Sequence, residues 1–330
     1  MVRARAHHGF LAAVLLCGAI GVAGAAADPT TQVDRIAGQD RYETAARVSE
    51  QFPVGSDVFI ATGENFPDSL ASGPALGAYQ APLLLVTHNS IPDVTKRELT
   101  RLAPPSIHVV GGPAAVSDDV LAQLHAFTSG DVVRLAGADR YGTAIAISQD
   151  VIPSGGAIPY LLVVTGRDFP DALFAGALGA FSVAPVLLVD GQTPLTADVI
   201  TEIQRIAPSV AIVVMGDFNA VNADVEAQLN DLAPTFRISN NAYNRGAEVW
   251  SLIDPGSRDV ILVTGANFPD GLAAAGLAGL GDGKITYLVP PNCVPPAVAN
   301  ELGRIQPAHV TLIGGPAALS TDVEHLVRCT

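Results

Sequence analysis

Three short sequence blocks recur in the same order along this chain. An arginine block, RIAGQDRYET at 35–44, returns as RLAGADRYGT at 134–143. A Gly-Gly-Pro block is intact at 110–117 and at 313–320. Between them lies a Thr-Gly-x-x-Phe-Pro-Asp block, which ends at Asp68, Asp171 and Asp270. The spacing of about 100 residues exceeds that of solenoid repeats, roughly 20 to 50 residues, so each unit is long enough for its own core and we predict tandem domains.

The repeats are predicted to occupy 33–132, 133–234 and 235–330. The arginine block of the third copy is degraded and begins at Arg237. Aligned without gaps, that copy places Ala242 and Tyr243 where Asp40 and Arg41 stand in the first. The Gly-Gly-Pro block of the second copy is also degraded, to Val-Met-Gly-Asp at 214–217.

Each unit shows alternating strand and helix signals. Continuous apolar runs at 58–62, 82–86 and 107–110 are typical of strands buried on both faces, as in parallel sheets. Helical patterns lie between and after them, at 42–52, 69–79, 94–102 and 120–127. We therefore predict an α/β fold of three tandem modules, each with a mainly parallel sheet flanked by helices.

The first 27 residues have the pattern of a secretion signal. Arg3 and Arg5 precede an apolar stretch at 10–22, and three alanines at 25–27 provide small residues for cleavage. No later stretch has the length and apolar character of a membrane helix, so we expect no membrane insertion after cleavage. The formal charge of −14 becomes still more negative without the two arginines of the leader. Such an acidic chain argues against a nucleic-acid partner.

Cys293 and Cys329 are the cysteines that remain after the predicted cleavage. In an oxidising compartment a disulfide between them is the favoured interpretation, and two buried thiols are the alternative.

The repeated aspartates Asp68, Asp171 and Asp270 have two interpretations. A proline followed by an acid suits the first turn of a helix, so the block can simply start a helix after a strand. Alternatively, these carboxylates lie at the carboxyl ends of strands, where open α/β sheets bind ligands. The Gly-Gly-Pro block is best explained as turn geometry, since it lacks the residues of a phosphate loop.

The arginine block carries more than a helix cap requires. Asp40 and Asp139 suit the cap itself, whereas the arginines offer planar forks for carboxylate or phosphate groups. The alternative is that these arginines pair with the repeated aspartates, within or between modules. The degraded third copy modestly favours a ligand site, because a structural ion pair would be costly to lose. The candidate ligand-binding residues of this block are Arg35, Arg41, Tyr42, Arg134, Arg140, Tyr141 and Arg237.

The sequence contains little that indicates an enzyme. The five histidines beyond the leader neither recur between repeats nor show metal-ligand spacing, and a Gly-x-Ser-x-Gly motif is absent. We predict a protein without catalytic residues, metal or cofactor. Two alternatives remain: a wall polysaccharide hydrolase that uses the repeated aspartates, and a self-assembling surface-layer component.

Together the three blocks and the Ala-Pro-Leu-Leu-Leu-Val stretch at 81–86 resemble the cell wall binding repeat 2 family. The resemblance covers 33–330. It implies three modules in pseudo-threefold arrangement, and non-covalent attachment of a secreted protein to an anionic secondary polymer of the cell wall, with peptidoglycan itself as the other candidate partner. The acidic charge opposes long-range attraction to such a polymer, so binding would depend on local arginine pockets or on bridging divalent cations.

Overall fold

The computed structural model of the protein describes residues 31–65, 67–152, 157–206, 210–253 and 256–330. The predicted secretion signal, residues 1–27, lies outside these ranges. Within them, no helix combines the length and apolar character needed to cross a membrane.

Short, mostly buried strands alternate with helices through the described ranges. The strands are β1 (Gln32–Ile36), β2 (Val58–Thr62), β3 (Leu83–Val86), β4 (Ile107–Val110), β5 (Val132–Leu135), β6 (Leu161–Thr165), β7 (Val186–Val189), β8 (Ile212–Met215), β9 (Thr235–Ile238), β10 (Asp259–Thr264), β11 (Ile285–Val289) and β12 (His309–Ile313). The α-helices are α1 (Arg41–Ser49), α2 (Gly73–Tyr79), α3 (Asp93–Leu102), α4 (Asp118–Leu124), α5 (Arg140–Val151), α6 (Pro170–Ser182), α7 (Ala197–Ile206), α8 (Ala223–Leu232), α9 (Ala242–Ile253), α10 (Pro269–Gly279), α11 (Pro296–Ile305) and α12 (Thr321–Glu324). Short 3-10 helices lie at Pro67–Ala71 and His125–Phe127.

The described strands form three parallel sheets of four strands. Their orders are β3-β2-β4-β5 in sheet 1, β7-β6-β8-β9 in sheet 2 and β11-β10-β12-β1 in sheet 3. The α/β class and the parallel sheets predicted from the apolar runs are confirmed.

The fourth strand of each sheet comes from the start of the next sequence repeat. β5 completes sheet 1 and β9 completes sheet 2, and β1 returns to pair with β12 in sheet 3. The first arginine of each arginine block lies in the same register, with Arg35 opposite Leu312 and Arg134 opposite Val109. The three modules are therefore joined in a closed ring by strand exchange.

Helices α2, α6 and α10 each contact the other two at the centre of this ring. Their small residues allow backbones to touch: a Cβ on Gly73 would lie 2.0 Å from the carbonyl oxygen of Gly176, and one on Gly77 2.0 Å from that of Ala180. No side chain fits in such a contact, which explains why these helices are rich in glycine and alanine.

The first of these central helices is interrupted. The helix expected over 69–79 is a 3-10 helix at Pro67–Ala71 followed by α2, whereas α6 and α10 are continuous from their first proline. Pro74 has no N–H to donate to the carbonyl of Leu70, so a regular α-helix cannot pass through this position.

Candidate functional site

All three repeated blocks meet at the carboxyl ends of the strands. Asp171 and Asp270 lie in the first turns of α6 and α10, each just after a proline, and Asp68 lies at the same point of the 3-10 helix. This bears out the helix-initiation interpretation of the block. It also places each carboxylate where an open α/β sheet binds ligands.

The Gly-Gly-Pro block shapes the wall beside each carboxylate. The glycine after β4, β8 or β12 (Gly111, Gly216 or Gly314) has a φ of +105°, +125° or +119°. A Cβ at these positions would lie 3.0, 2.7 or 2.5 Å from Oδ2 of the repeated aspartate. Glycine is thus required both by the positive φ and by the close approach of the carboxylate. The turn then leads into a helix, since Ser117 caps α4 by accepting from the Val120 N–H. The prediction that this block serves turn geometry is confirmed.

Each aspartate faces the helix that begins the next repeat, so we name three junctions by the repeats that they join. Junction 1–2 comprises Asp68, Gly111, Arg140 and Thr143. Junction 2–3 comprises Asp171, Gly216, Ala242 and Arg245. Junction 3–1 comprises Asp270, Gly314, Arg41 and Phe268. The alternative that arginines of this block pair with the aspartates between modules is met at junction 2–3 by Arg245 and Asp171. At the other two junctions Arg41 and Arg140 donate to glycine carbonyls.

At junction 1–2 the Thr143 hydroxyl donates to Oδ1 of Asp68 over 3.1 Å. Burial raises the pKa of Asp68, while this hydrogen bond and the charge of Arg140 oppose the shift. Arg140 also donates from Nη1 to the carbonyl oxygen of Gly166, 2.5 Å away at the end of β6 in its own repeat. One arginine thus lies between the strand ends of two modules.

At junction 3–1 Arg41 plays the same part. Its Nη1 donates to the carbonyl oxygen of Gly63, and its Cζ lies 5.7 Å from the centre of the Phe268 ring. Burial raises the pKa of Asp270 to about 6, and the charge of Arg41 opposes the shift. Asp270 is therefore a poorly solvated carboxylate close to a cation.

Junction 2–3 is built differently. Arg245 Nη1 donates to Oδ1 of Asp171, and the Arg245 side chain is only 2% exposed. Burial raises the pKa of Asp171, and the Arg245 charge acts against that shift. Since the guanidinium donates directly to the carboxylate, we take this pair as a buried ion pair.

The structure corrects the ungapped alignment of the third repeat. Tyr243 packs on Gly265 as Tyr42 packs on Gly63, with Cε1 2.7 and 2.8 Å from a Cβ built on the respective glycine. α9 begins at Ala242 as α1 begins at Arg41, and Asn241 caps it as Asp40 caps α1. One residue is missing before the helix, so Ala242 corresponds to Arg41 and Arg245 to Thr44.

This shift removes the support that the third copy gave to a ligand site. The argument was that the Arg–Asp pair had been lost there, whereas the charge has moved three positions along the helix and still meets Asp171. A single-residue gap hid Arg245 from the sequence analysis; aligning the tyrosines instead of the first arginines would have found it.

The first arginines of the blocks are engaged inside the protein. Arg35 donates to Gly314 O at 2.7 Å and pairs with Glu324 at 2.9 Å. Arg134 donates to Gly111 O at 2.8 Å and pairs with Asp118 at 2.9 Å. In the third block Arg237 makes the equivalent contacts, to Gly216 O at 2.7 Å and to Glu226 at 2.9 Å. These guanidinium groups brace the glycine turn of the preceding module.

Tyr42 and Tyr141 line the junctions from the side. Each is half-buried against the glycine that follows the strand, Gly63 or Gly166, where a Cβ would come within 2.8 or 2.9 Å of the ring. Burial is the main cause that raises the pKa of both phenols, which are thus neutral at ordinary pH.

An open cleft of about 690 Å³ lies at junction 2–3. Its polar lining includes Gln192, Asp217, Asn240 and Asn241, which the sequence analysis did not select. Within the described residues no group of three or more histidine, cysteine or acidic side chains is arranged to hold a metal ion. Elsewhere, a disulfide joins Cys293 and Cys329, whose Cα atoms are 5.0 Å apart.

A ring of three α/β modules, with one such junction between each pair, defines a class of repeat protein. Comparison of the sequence with known protein families agrees with this threefold arrangement. The model of cell wall binding domain 2 (CWB2) matches three times, at 35–121, 134–226 and 236–324. The chain belongs to this family and is a cell-wall-binding protein of the wall or cell surface. The resemblance inferred from the repeated blocks is confirmed.

Individual relatives agree with this assignment. Over 90% of its length the chain is 26% identical to the "Amidase enhancer" of Bacillus subtilis (strain 168), of which it covers 40%. It is 25% identical, also over 90% of its length, to the N-acetylmuramoyl-L-alanine amidase LytC of that organism, of which it covers 58%.

Two solved structures show the same fold. Cwp6 from Clostridium difficile superposes with a TM-score of 0.80 at 20% identity, covering 99% of this chain and 51% of Cwp6. Cwp8 from the same organism gives 0.76 at 21% identity, with 89% of this chain and 51% of Cwp8 covered. The chain thus spans about half the length of the proteins that it matches.

Proposed function

We propose that the protein is secreted and attaches non-covalently to an anionic secondary polymer of the bacterial cell wall. The observation that carries this proposal is the placement of Arg41 and Arg140 at equivalent junctions, at the carboxyl ends of the strands. Membership of a family of cell wall binding domains supports a partner in the wall. The two arginines provide guanidinium groups that can bind phosphate or carboxylate oxygens.

The geometry leaves these arginines capable of further contacts. A guanidinium has five N–H donors, and the carbonyl of Gly63 or Gly166 takes one from each. Both side chains are partly exposed. A ligand oxygen at either junction would thus meet a cation held in place by a backbone carbonyl, which lowers the entropy cost of binding.

The negative net charge of the chain limits how it can bind a polyanion. At −14 the chain offers no long-range attraction to a polyanion, so binding depends on short-range contacts with the arginines or on divalent cations that bridge acid to acid. The first arginines, Arg35, Arg134 and Arg237, brace the glycine turns in this proposal and do not contact the polymer.

The test is co-sedimentation of the purified protein with bacterial sacculi, before and after acid removal of secondary polymers, with and without chelator. We expect stripping to weaken binding about tenfold or more. Binding that survives stripping at undiminished strength would assign the partner as peptidoglycan itself and contradict the proposal. Loss of binding with chelator would assign the contact to bridging cations.

The variant that tests the site is Arg41→Ala with Arg140→Ala, which we expect to weaken binding about tenfold or more while leaving the fold intact. Its matched control is Arg47→Ala with Arg97→Ala, which removes two exposed arginines that are not among the junction residues and changes the net charge equally. Equal weakening in both double variants would show a net-charge effect and discard the arginine pockets. Unfolding of the first pair alone would make Arg41 and Arg140 structural.

A further inference from the structure

Junction 2–3 lacks the partly exposed arginine that the other two junctions have. Ala242 stands at the position of Arg41 and Arg140, and the charge that replaces it, Arg245, is buried and paired with Asp171. The space that an arginine side chain would fill is part of the open cleft of about 690 Å³, which Ala242 lines. This volume lies within the range of small-molecule sites, about 300 to 1,000 Å³.

The lining of the cleft is rich in amides and carboxylates. Gln192, Asn219, Asn240 and Asn241 contribute carboxamides, and Asp168 and Asp217 contribute acids.

Part of this lining is held in place by internal hydrogen bonds. Asn219 donates from Nδ2 to Oδ2 of Asp217 over 3.1 Å, and Gln192 donates from Nε2 to the Asn219 carbonyl over 2.8 Å. Asn240 and Asn241 use their Oδ1 atoms to accept backbone N–H groups. Among the described residues their Nδ2 groups donate to no protein atom. One side of the cleft is thus fixed, and the other offers donors.

The charges of this lining disfavour an anionic ligand. It holds three acids, Asp168, Asp171 and Asp217, against two arginines: Arg245 is paired with Asp171, and Arg167, 57% exposed, is paired with Asp190 over 3.5 Å. Position 242 adds no third arginine, and the described residues supply no metal-binding group for a bridging cation. A neutral ligand with hydroxyls and amides fits. Carboxylates accept from hydroxyls, carboxamides donate to hydroxyl and acetamido oxygens, and Pro170 with Ala242 gives apolar surface for the C–H face of a ring.

We propose that the cleft at junction 2–3 binds an uncharged segment of wall glycan bearing hydroxyl and N-acetyl groups, separate from the anion-binding role of the other junctions. The proposal deepens the wall-binding function and rests on it. The three junctions of one ring thereby recognise two kinds of chemical group on the same wall.

The experiment is a titration of the full chain with the neutral trimer of N-acetylglucosamine, followed by calorimetry and by the side-chain amide signals of asparagine in NMR spectra. We expect binding by the natural protein and a loss of affinity of about tenfold or more in Ala242→Arg, which restores the residue of the other repeats and occupies part of the cleft. Because α1 and α5 both begin with arginine, this variant should fold. Ala242→Ser, which keeps the cleft open, should bind as the natural protein does.

Asn240→Ala provides a second variant and is expected to weaken binding without closing the cleft. Absence of binding by the natural protein, or equal binding by Ala242→Arg, would overturn the proposal. The Arg47→Ala, Arg97→Ala double variant should bind the trimer unchanged. Trimer binding without co-sedimentation would refute the polymer attachment alone, and co-sedimentation without trimer binding would refute only the glycan cleft.

Discussion

The aspartate of the repeated block has a different electrostatic environment in each of the three repeats. Asp171 is neutralised by a buried arginine, Asp68 accepts from the Thr143 hydroxyl, and Asp270 has the charge of Arg41 near it. Burial raises the pKa of all three carboxyls. The sequence block is repeated, but the contribution of its carboxylate to the free energy of unfolding differs from one repeat to the next.

Asp270→Asn is expected to stabilise the protein at neutral pH. The folded-state pKa of Asp270, about 6, lies above its ordinary value of 3.8, so the folded state binds this proton more tightly and stability falls as pH rises from 3.8 to about 6. Because asparagine does not ionise, the variant does not lose this stability as the pH rises. We expect a gain in the free energy of unfolding of up to about 3 kcal/mol at pH 7 and none below the ordinary pKa, measured by urea denaturation across this pH range.

Asp171→Asn is the matched comparison and should act in the opposite direction. Burial raises the pKa of Asp171 as it does that of Asp270, but the substitution also leaves Arg245, only 2% exposed, without its negative partner. We expect this unpaired buried charge to outweigh the relief of desolvation and to cost about 3 to 5 kcal/mol at pH 7. If both amide variants shifted stability in the same direction, the distinction between the two junctions would be wrong.

The central helices show why glycine recurs in the interior of an element. A Cβ on Gly77 would lie 2.0 Å from the Ala180 carbonyl oxygen, and the packed backbone at the centre of the ring has no room to move away from it. We expect Gly77→Ala to lower the free energy of unfolding by about 3 kcal/mol, as overpacking of a core does. Thermal and urea unfolding measure it.

Gly112→Ala is the control for this substitution. A Cβ at Gly112 meets nothing within 4 Å, and the φ of Gly112 is not positive, so alanine there should leave stability unchanged or slightly raised. Equal losses in the two variants would show that alanine is harmful through backbone conformation and not through the helix contact.

The sequence predicted those elements whose signal is local. The buried strands at 58–62, 83–86 and 107–110 follow from continuous apolar runs, and the caps at Asp40 and Asp139 follow from residue type. The fourth strands were missed because they are short and alternate between partly buried and exposed residues, as in Gln32–Ile36. Their pairing depends on the next module, which local patterns do not reveal.

The residues of the candidate site were likewise predicted only in part. The repeated aspartates and the arginines Arg41 and Arg140 were selected from recurrence, and the structure brings them together between modules. Arg245 and the amides of the cleft were not selected, since they occur in one repeat and recurrence does not reveal them. An alignment on the tyrosines would have pointed to Arg245, but its contact with Asp171 is visible only in three dimensions.

At the scale of the molecule, the exchange of strands ties the two ends of the described chain together. β1 pairs with β12, and Arg35 binds the Gly314 carbonyl and Glu324, 279 and 289 positions away. Each sheet lacks a strand without its neighbour, so no repeat is structurally complete on its own. Loss at one junction should consequently be felt in two modules.

Arg35→Ala tests this closure. We expect faster amide hydrogen exchange in β12 as well as in β1, because the arginine holds the glycine turn that ends β12. Arg134→Ala removes the equivalent contact between adjacent repeats and should affect β4 and β5 in the same way while leaving β12 protected. Mass spectrometry of exchanged peptides resolves these segments. Faster exchange confined to β1 would mean that sheet 3 stands without it and that the ring closes only by contact, whereas parallel losses in β1 and β12 would establish that the last module depends on the first.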